Sequence, residues 1–430
     1  MKADITPPAP SRMMQTCYPW VVIGVAFLTV AMAFGARNAF AVFLIAVIEE
    51  FHWSRALASG ALMLGSLVWT VVAPVIGNLL DRYGPRPVMT GGALVMAAGL
   101  IVSGLADTVV EFYLGMGILV GAGFAALPMT SQATFLANWF VRKRGMAIGL
   151  AASGIGLGIL IVVPLTQWLI ANFGWRQAFF ILAGLLICLV APANFFLQRQ
   201  RPEQMGLKPD FGAYEGPVPT GHGHGGNAGA QGITLKQALR TTRFWSFAAG
   251  VLFGAIPLHM VLIHQVAAVN DAGYSKEVAA LALGLIGLFT APSMILMGLL
   301  ADRIGRPRCY ALGSASLMLG TALLMIIGFS QQDWLLYAFP PLIAFGFSSR
   351  QSLYPTIAAD LFHGKSFGAI IGAIALFIGA GAGIGPWLGG AVYDWSGSYL
   401  GAFWLAQILS FLSVCFIGWA ARAATPAKIR

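Results

Sequence analysis

A short turn flanked by long apolar runs occurs twice in this chain, and it limits the possible folds more than any other feature. Residues 77–87 read Gly-Asn-Leu-Leu-Asp-Arg-Tyr-Gly-Pro-Arg-Pro, and residues 298–308 read Gly-Leu-Leu-Ala-Asp-Arg-Ile-Gly-Arg-Pro-Arg. Asp302 repeats Asp81 at an offset of 221 residues, about half the chain. Each copy holds an acid, at least two arginines and a helix-stopping Gly or Pro. Such a turn joins two helices on one side of a bilayer, because only helices or closed barrels satisfy the backbone within hydrocarbon. Two halves built alike are the signature of transporters made from internal repeats.

Composition supports the membrane setting. Hydrophobic residues make up 58% of the chain and charged residues 9%, with a mean hydropathy of +0.80. That leaves too little polar surface for a soluble domain. Cys17, Cys188, Cys309 and Cys415 show no paired spacing, so neither a disulfide framework nor a metal site is expected. No cofactor is implied. The apolar run after Tyr18 is too long for a signal-peptide core and reads as an uncleaved first span.

With spans of at least roughly 20 residues, helices fall near 18–48, 57–80, 88–106, 110–137, 146–170 and 177–198. They resume near 244–269, 277–300, 309–329, 334–358, 368–392 and 399–421. The expected fold is an all-α membrane protein with twelve transmembrane helices in two pseudo-symmetric six-helix bundles, 18–198 and 244–421. A connecting loop at 199–243 and tails at 1–17 and 422–430 complete the chain. Twenty of the 25 Lys and Arg fall on the side holding both termini, and only Arg55, Arg176 and Lys276 on the other. By the positive-inside rule both termini are cytoplasmic, which requires an even number of spans. The net charge of +10 therefore reports topology and not a nucleic-acid partner.

The two remaining basic residues lie inside spans. Arg37 sits in Ala33-Phe34-Gly35-Ala36-Arg37-Asn38-Ala39-Phe40, and Arg350 in Phe345-Gly346-Phe347-Ser348-Ser349-Arg350-Gln351-Ser352. All fifteen Asp and Glu fall in tails, loops or helix ends. Asp107, Glu111, Asp271, Glu277, Asp333 and Asp394 are placed at or near the outer side and the others on the cytoplasmic side. A cavity with two positive groups and no carboxylate favours a small anionic substrate and repels cations. The two arginines are expected on opposite sides of the midplane, roughly 10 Å apart in depth, Arg37 meeting the anion from outside and Arg350 from inside. Asn38, Gln132, His259 and Tyr354 are the other candidate substrate contacts, with Thr130 and Ser131 beside Gln132. His259 follows Asn38 at the same offset of 221 residues.

Plainer readings stand beside these. Arg37 snorkels to the outer headgroups, Arg350 pairs with Asp360, and His259 and His264 are core histidines bonded to backbone carbonyls. Without a membrane carboxylate, a coupled proton would ride on His259, His264 or the substrate; anion exchange needs no such residue. His222 and His224, in a glycine-rich stretch, supply too few ligands for a metal. Thr234 to Arg243 reads as a short amphipathic helix on the cytoplasmic face.

The stretch Trp139-Phe140-Val141-Arg142-Lys143-Arg144-Gly145-Met146-Ala147-Ile148-Gly149-Leu150-Ala151-Ala152-Ser153-Gly154-Ile155-Gly156-Leu157-Gly158 pairs a basic anchor with a face of small residues, and Pro164 can kink the helix. Together with the twin turns it resembles the major facilitator superfamily, specifically its monocarboxylate-transporter branch, which includes oxalate/formate-type antiporters. The resemblance implies a monomeric plasma-membrane rocker. Its substrate, commonly a small carboxylate moved with a proton or exchanged for another anion, binds between the halves. By position in related transporters, Gly77, Asp81, Arg82 and Arg86, with Asp302, Arg303 and Arg306, would hold the cytoplasmic gate shut while the outside is open.

Three departures qualify the likeness. The branch often has an acid followed by Gly where this chain has Arg37-Asn38, and residues 278–299 lack the buried Arg that characterised relatives carry in the eighth helix. Tyr113-Leu114-Gly115-Met116 lacks the Arg that proton-driven drug exporters keep in the fourth helix. An enzyme is not expected, for want of a nucleophile, metal or acid pair in a cavity. The competing classes are a proton-coupled exporter of larger hydrophobic compounds and a non-transporting sensor with the same fold.

Overall fold

The computed structural model describes residues 12–212, 233–330, 332–362 and 366–422. The start of the N-terminal tail, the His222 and His224 pair, Lys365 and the C-terminal tail after Arg422 lie outside the described residues. Among the described residues, eleven helices are long and apolar enough to cross a membrane. They are α1 (Met14–Phe51), α2 (Arg55–Tyr83), α3 (Pro85–Leu105), α4 (Val109–Trp139), α5 (Arg144–Phe173), α6 (Trp175–Leu197), α7 (Thr242–Asp271), α8 (Lys276–Ile304), α9 (Arg306–Ser330), α11 (Phe367–Ser396) and α12 (Tyr399–Arg422). Between α9 and α11 runs α10 (Trp334–Leu361), 28 residues long, with three prolines and Arg350 in its length. No strand occurs among the described residues.

Local chemistry sets the helix ends. The hydroxyls of Ser54, Thr241 and Ser275 accept first-turn N–H groups of α2, α7 and α8, and Thr108 with Glu111 forms a reciprocal cap at the start of α4. The twin turns keep glycine for a backbone reason: Gly84 and Gly305 take φ of 80° and 86°, where a side chain would be strained. Three expectations need correction. Helix α1 is already formed at Met14, because the segment before Tyr18 continues the same helix. The helix foreseen over Thr234 to Arg243 is a single turn, Leu235–Ala238, because Thr241 caps α7 and so interrupts it. Glu49 and Glu50 belong to the outer face, where they pair with Lys276 and Arg176.

Two spans are interrupted near the middle. Helix α1 turns at Ala39, next to Asn38, whose Nδ2 donates to the Phe34 carbonyl at 2.9 Å. Helix α4 breaks at residues 125–128 and restarts after Pro128, which cannot donate to the preceding turn.

Helix α1 packs on α5 and α3 on α4 and α6 in the first half; α7 packs on α11 and α12, and α9 on α10, in the second. Two seams join the halves, α2 against α11 and α5 against α8. Glycines bring the main chains into direct contact there. A Cβ on Gly156 would strike the Gly287 carbonyl, and one on Gly390 would lie 2.6 Å from the Ala56 nitrogen. Toward the basic face the same four helices continue with Gly77, Gly149, Gly298 and Gly372, and none of these has anything within 4 Å of such a Cβ. The seams are thus closed from the middle to the outer face and parted at the basic face, leaving a cleft open on that side.

Within the first half, a Cβ on Gly158 would collide with the Ala31 carbonyl of α1. Gly158→Ala is therefore expected to cost roughly 1–3 kcal/mol, read as a lower melting temperature in detergent. Gly149→Ala, placed in open space, should leave the melting temperature unchanged or raise it through helix propensity.

Candidate functional site

Arg37 leaves α1 at its turn and reaches α2, where Nη2 donates to Ser66 Oγ at 2.8 Å. Its guanidinium carbon lies 4.8 Å from the centre of the Phe124 ring and 5.2 Å from that of Trp69. The arginine is half-buried, held by aromatic faces and a hydroxyl. It does not run out to the headgroups.

Arg350 is 2% exposed. Its Nε donates to the Gly254 carbonyl of α7 and its Nη1 to the Gly346 carbonyl, both at 2.9 Å, and the Tyr310 ring centre is 5.5 Å from its guanidinium carbon. Its Nη2 is buried without a partner. Asp360 does not answer it, being paired with Arg306 at the basic face. Among the described residues, then, neither membrane arginine meets a carboxylate.

His259 joins the two. It is half-buried, its Nδ1 donates to the Ala255 carbonyl at 2.9 Å, and its Nε2 has no partner among the described residues. Arg37 and Arg350 are the charged groups close enough to act on it. One guanidinium from each half thus lies within electrostatic range of a single imidazole, with Arg350 Nη2 and His259 Nε2 unbonded. Such a site can take up a negatively charged oxygen.

The other foreseen contacts are placed differently. Tyr354 is buried beneath Arg350, its hydroxyl 3.2 Å from that of Tyr310, which in turn is 2.6 Å from Ser413 Oγ. Gln132 is fully buried, and its Nε2 donates to the Leu127 carbonyl that the break in α4 sets free. Asn38 spends its amide on Phe34. His264, 0% exposed, lies between the Tyr399 hydroxyl and the Pro386 carbonyl, in the role of a core histidine.

At the basic face Asp81, Arg82, Asp302 and Arg303 are exposed. Gly77 has open space beside it. Arg86 Nε donates to the Phe195 carbonyl and Arg306 pairs with Asp360, each within its own half.

On the outer face charged groups cross between the halves, and the sequence reading missed this. The Arg55 guanidinium meets Asp271 of α7 at 2.9 Å and the Tyr399 hydroxyl at 2.5 Å, and lies 3.6 Å from the Tyr393 ring centre. The Asp394 carboxylate of α11 accepts the backbone N–H groups of Arg55 and Ala56, both at 2.8 Å, at the positive end of α2. Lys276 of α8 pairs with Glu49 of α1 at 2.6 Å. The available signal was the small set of outer cations set against acids at helix ends of the opposite half.

Replacing both Asp271 and Asp394 with Asn removes roughly 1–3 kcal/mol of outer closure. Ser59 lies one turn inside this cluster and is fully buried. With the native cysteines removed, Ser59→Cys is expected to react with a membrane-impermeant thiol reagent from outside at least tenfold faster in the double variant. An unchanged rate would show that the outer face is closed by packing alone.

Comparison with known proteins agrees with this architecture. A family model described as Major Facilitator Superfamily matches residues 26–349 and, in a second match, 246–429. Monocarboxylate transporter 13 of Bos taurus is 27% identical, over 90% of this chain and 85% of its own length. Monocarboxylate transporter 2 of Homo sapiens is 25% identical, over 88% and 80%. The fold also matches the crystal structure of a bacterial homologue of the human lysosomal transporter Spinster, inward-facing and unoccupied, with a TM-score of 0.68 and 17% identity over 95% of this chain and 96% of that one. Two glycine-seamed helical halves of one repeated design, matched by that family along nearly their whole length, make this multi-pass membrane chain a member of the Major Facilitator Superfamily of transporters.

Proposed function

We propose that the chain carries a small organic anion, a monocarboxylate, across the plasma membrane by alternating access, acting as a monomer. The observation that carries this reading is the pair of guanidinium groups from opposite halves, Arg37 and Arg350, both within electrostatic range of His259 and neither paired with a carboxylate among the described residues. The names of the relatives point the same way. Arg350 Nη2 is the donor left for a carboxylate, His259 Nε2 becomes a second one when the ring takes up a proton, because Nδ1 already donates to Ala255, and the Trp69 and Phe124 rings beside Arg37 suit the anion's apolar body. Asn38, Gln132 and Tyr354 then hold the frame, each already bonded to the chain.

In the same reading, charges take turns at closing the two faces. Asp81, Arg82, Arg86, Asp302, Arg303 and Arg306 cross between the halves once the basic face shuts, while Arg55, Asp271 and Asp394 let go outside. Coupling runs either through a proton on His259 or by exchange of one anion for another. Imposed pH gradients and preloaded anions separate these, since exchange proceeds without a proton gradient.

The test is uptake of labelled lactate, pyruvate, oxalate and benzoate into proteoliposomes. Losing a charged hydrogen bond should lower uptake of the preferred anion by roughly 10–100-fold in Arg350→Gln, and comparably in Arg37→Gln. Full uptake by both variants would sink the anion reading, and ligand binding without any flux would mark a sensor.

A further inference from the structure

A second concave feature lies away from the cleft, where α7 begins and α12 ends. It is a groove of about 690 Å³. Trp245 and Trp419, 53% and 49% exposed, form its walls with Phe416 and Cys415, and Arg240 and Thr241 form its rim. Trp245 is fixed there by its indole N–H, which donates to the Leu239 carbonyl at 2.8 Å. Among the described residues, none that lines the groove is acidic.

Three features define what the groove can hold. The Arg240 side chain is exposed and makes no hydrogen bond or ion pair among the described residues. Arg422 lies three residues beyond Trp419, on the same face of α12. The tryptophans sit where aromatic side chains mark the boundary between headgroups and hydrocarbon, and the arginines follow toward water. An occupant must therefore be apolar along most of its length and negative at the end nearest the basic face. Basic pockets between membrane helices on the cytoplasmic side select anionic headgroups through this complementarity.

We propose that this groove holds one anionic phospholipid of the cytoplasmic leaflet, its phosphate against Arg240 and Arg422 and an acyl chain along Trp245, Phe416 and Trp419. The site is independent of the anion cleft: none of its residues contacts Arg37, His259 or Arg350, and the proposal stands or falls apart from the transport reading.

Native mass spectrometry of the full chain, delipidated and then titrated with phosphatidylglycerol or phosphatidylcholine of the same acyl chains, tests it. The unaltered chain is expected to retain one phosphatidylglycerol at least tenfold better than phosphatidylcholine. Arg240→Gln should lower that retention at least threefold, whereas Arg240→Lys keeps it. Arg201→Gln, an exposed basic residue of the same face outside the groove, should change nothing. Matched melting temperatures establish that the variants are folded. Equal retention of the two lipids, equal loss in Arg201→Gln, or no loss in Arg240→Gln overturns the proposal. So does phosphatidylglycerol binding that begins only after residues 423–430 are removed, because the groove would then belong to the chain's own C-terminus.

Discussion

A guanidinium group inside a membrane protein must be answered, and the way Arg350 is answered shapes the centre of this one. The carbonyls of Gly254 and Gly346 take two of its donors and the Tyr310 ring faces it, yet each offers only partial negative charge. The full positive charge survives, and one donor, Nη2, stays unpaired. A buried unpaired donor costs about 1–3 kcal/mol, more when charged. Such a cost persists where surrounding structure holds it in place, and here Tyr310, Tyr354 and Ser413 form a bonded floor beneath the group. Arg37 repeats the pattern across the cleft with a hydroxyl and two aromatic faces.

Around that centre the two faces of the molecule treat charge in opposite ways. Outside, Arg55 with Asp271, and Lys276 with Glu49, join one half to the other. At the basic face the pairing of Arg306 with Asp360 stays within one half, as does the bond from Arg86 to Phe195. The glycine seams have the same polarity, touching at Gly156 and Gly287 and open at Gly149 and Gly372. Electrostatics and packing therefore agree on one state, closed outside and open toward the basic side. Because the seams are main chain against main chain, few side-chain rotamers need to change for the halves to tilt the other way.

The long-range plan was legible because it rests on one-dimensional signals. Hydropathy marks the spans, and the repeated turn marks the halves. Gly84 and Gly305 announce turns that need positive φ, and Arg37 and Arg350 stand out because charge is rare in such surroundings. What stayed hidden depends on rotation about helix axes. Ser66 meets Arg37, and Ser413 meets Tyr310, only because particular helix faces are turned together, and no spacing in a single helix reports that. Gln132 looked available in the sequence, but the break in α4 frees a carbonyl beside it and claims its amide. Glu49 and Glu50 were misplaced although the first span, 18–48, ends at the outer face just before them, and with them the outer cluster went unseen.

The grip of Asp394 on α2 is made to backbone amides, those of residues 55 and 56, and involves no side chain of α2. Any amino acid other than proline presents the same N–H groups there, so this half of the outer lock is indifferent to what evolution writes at those two positions. The load falls on a single carboxylate in the opposite bundle, and a chain with another residue in place of the arginine keeps this half of the lock.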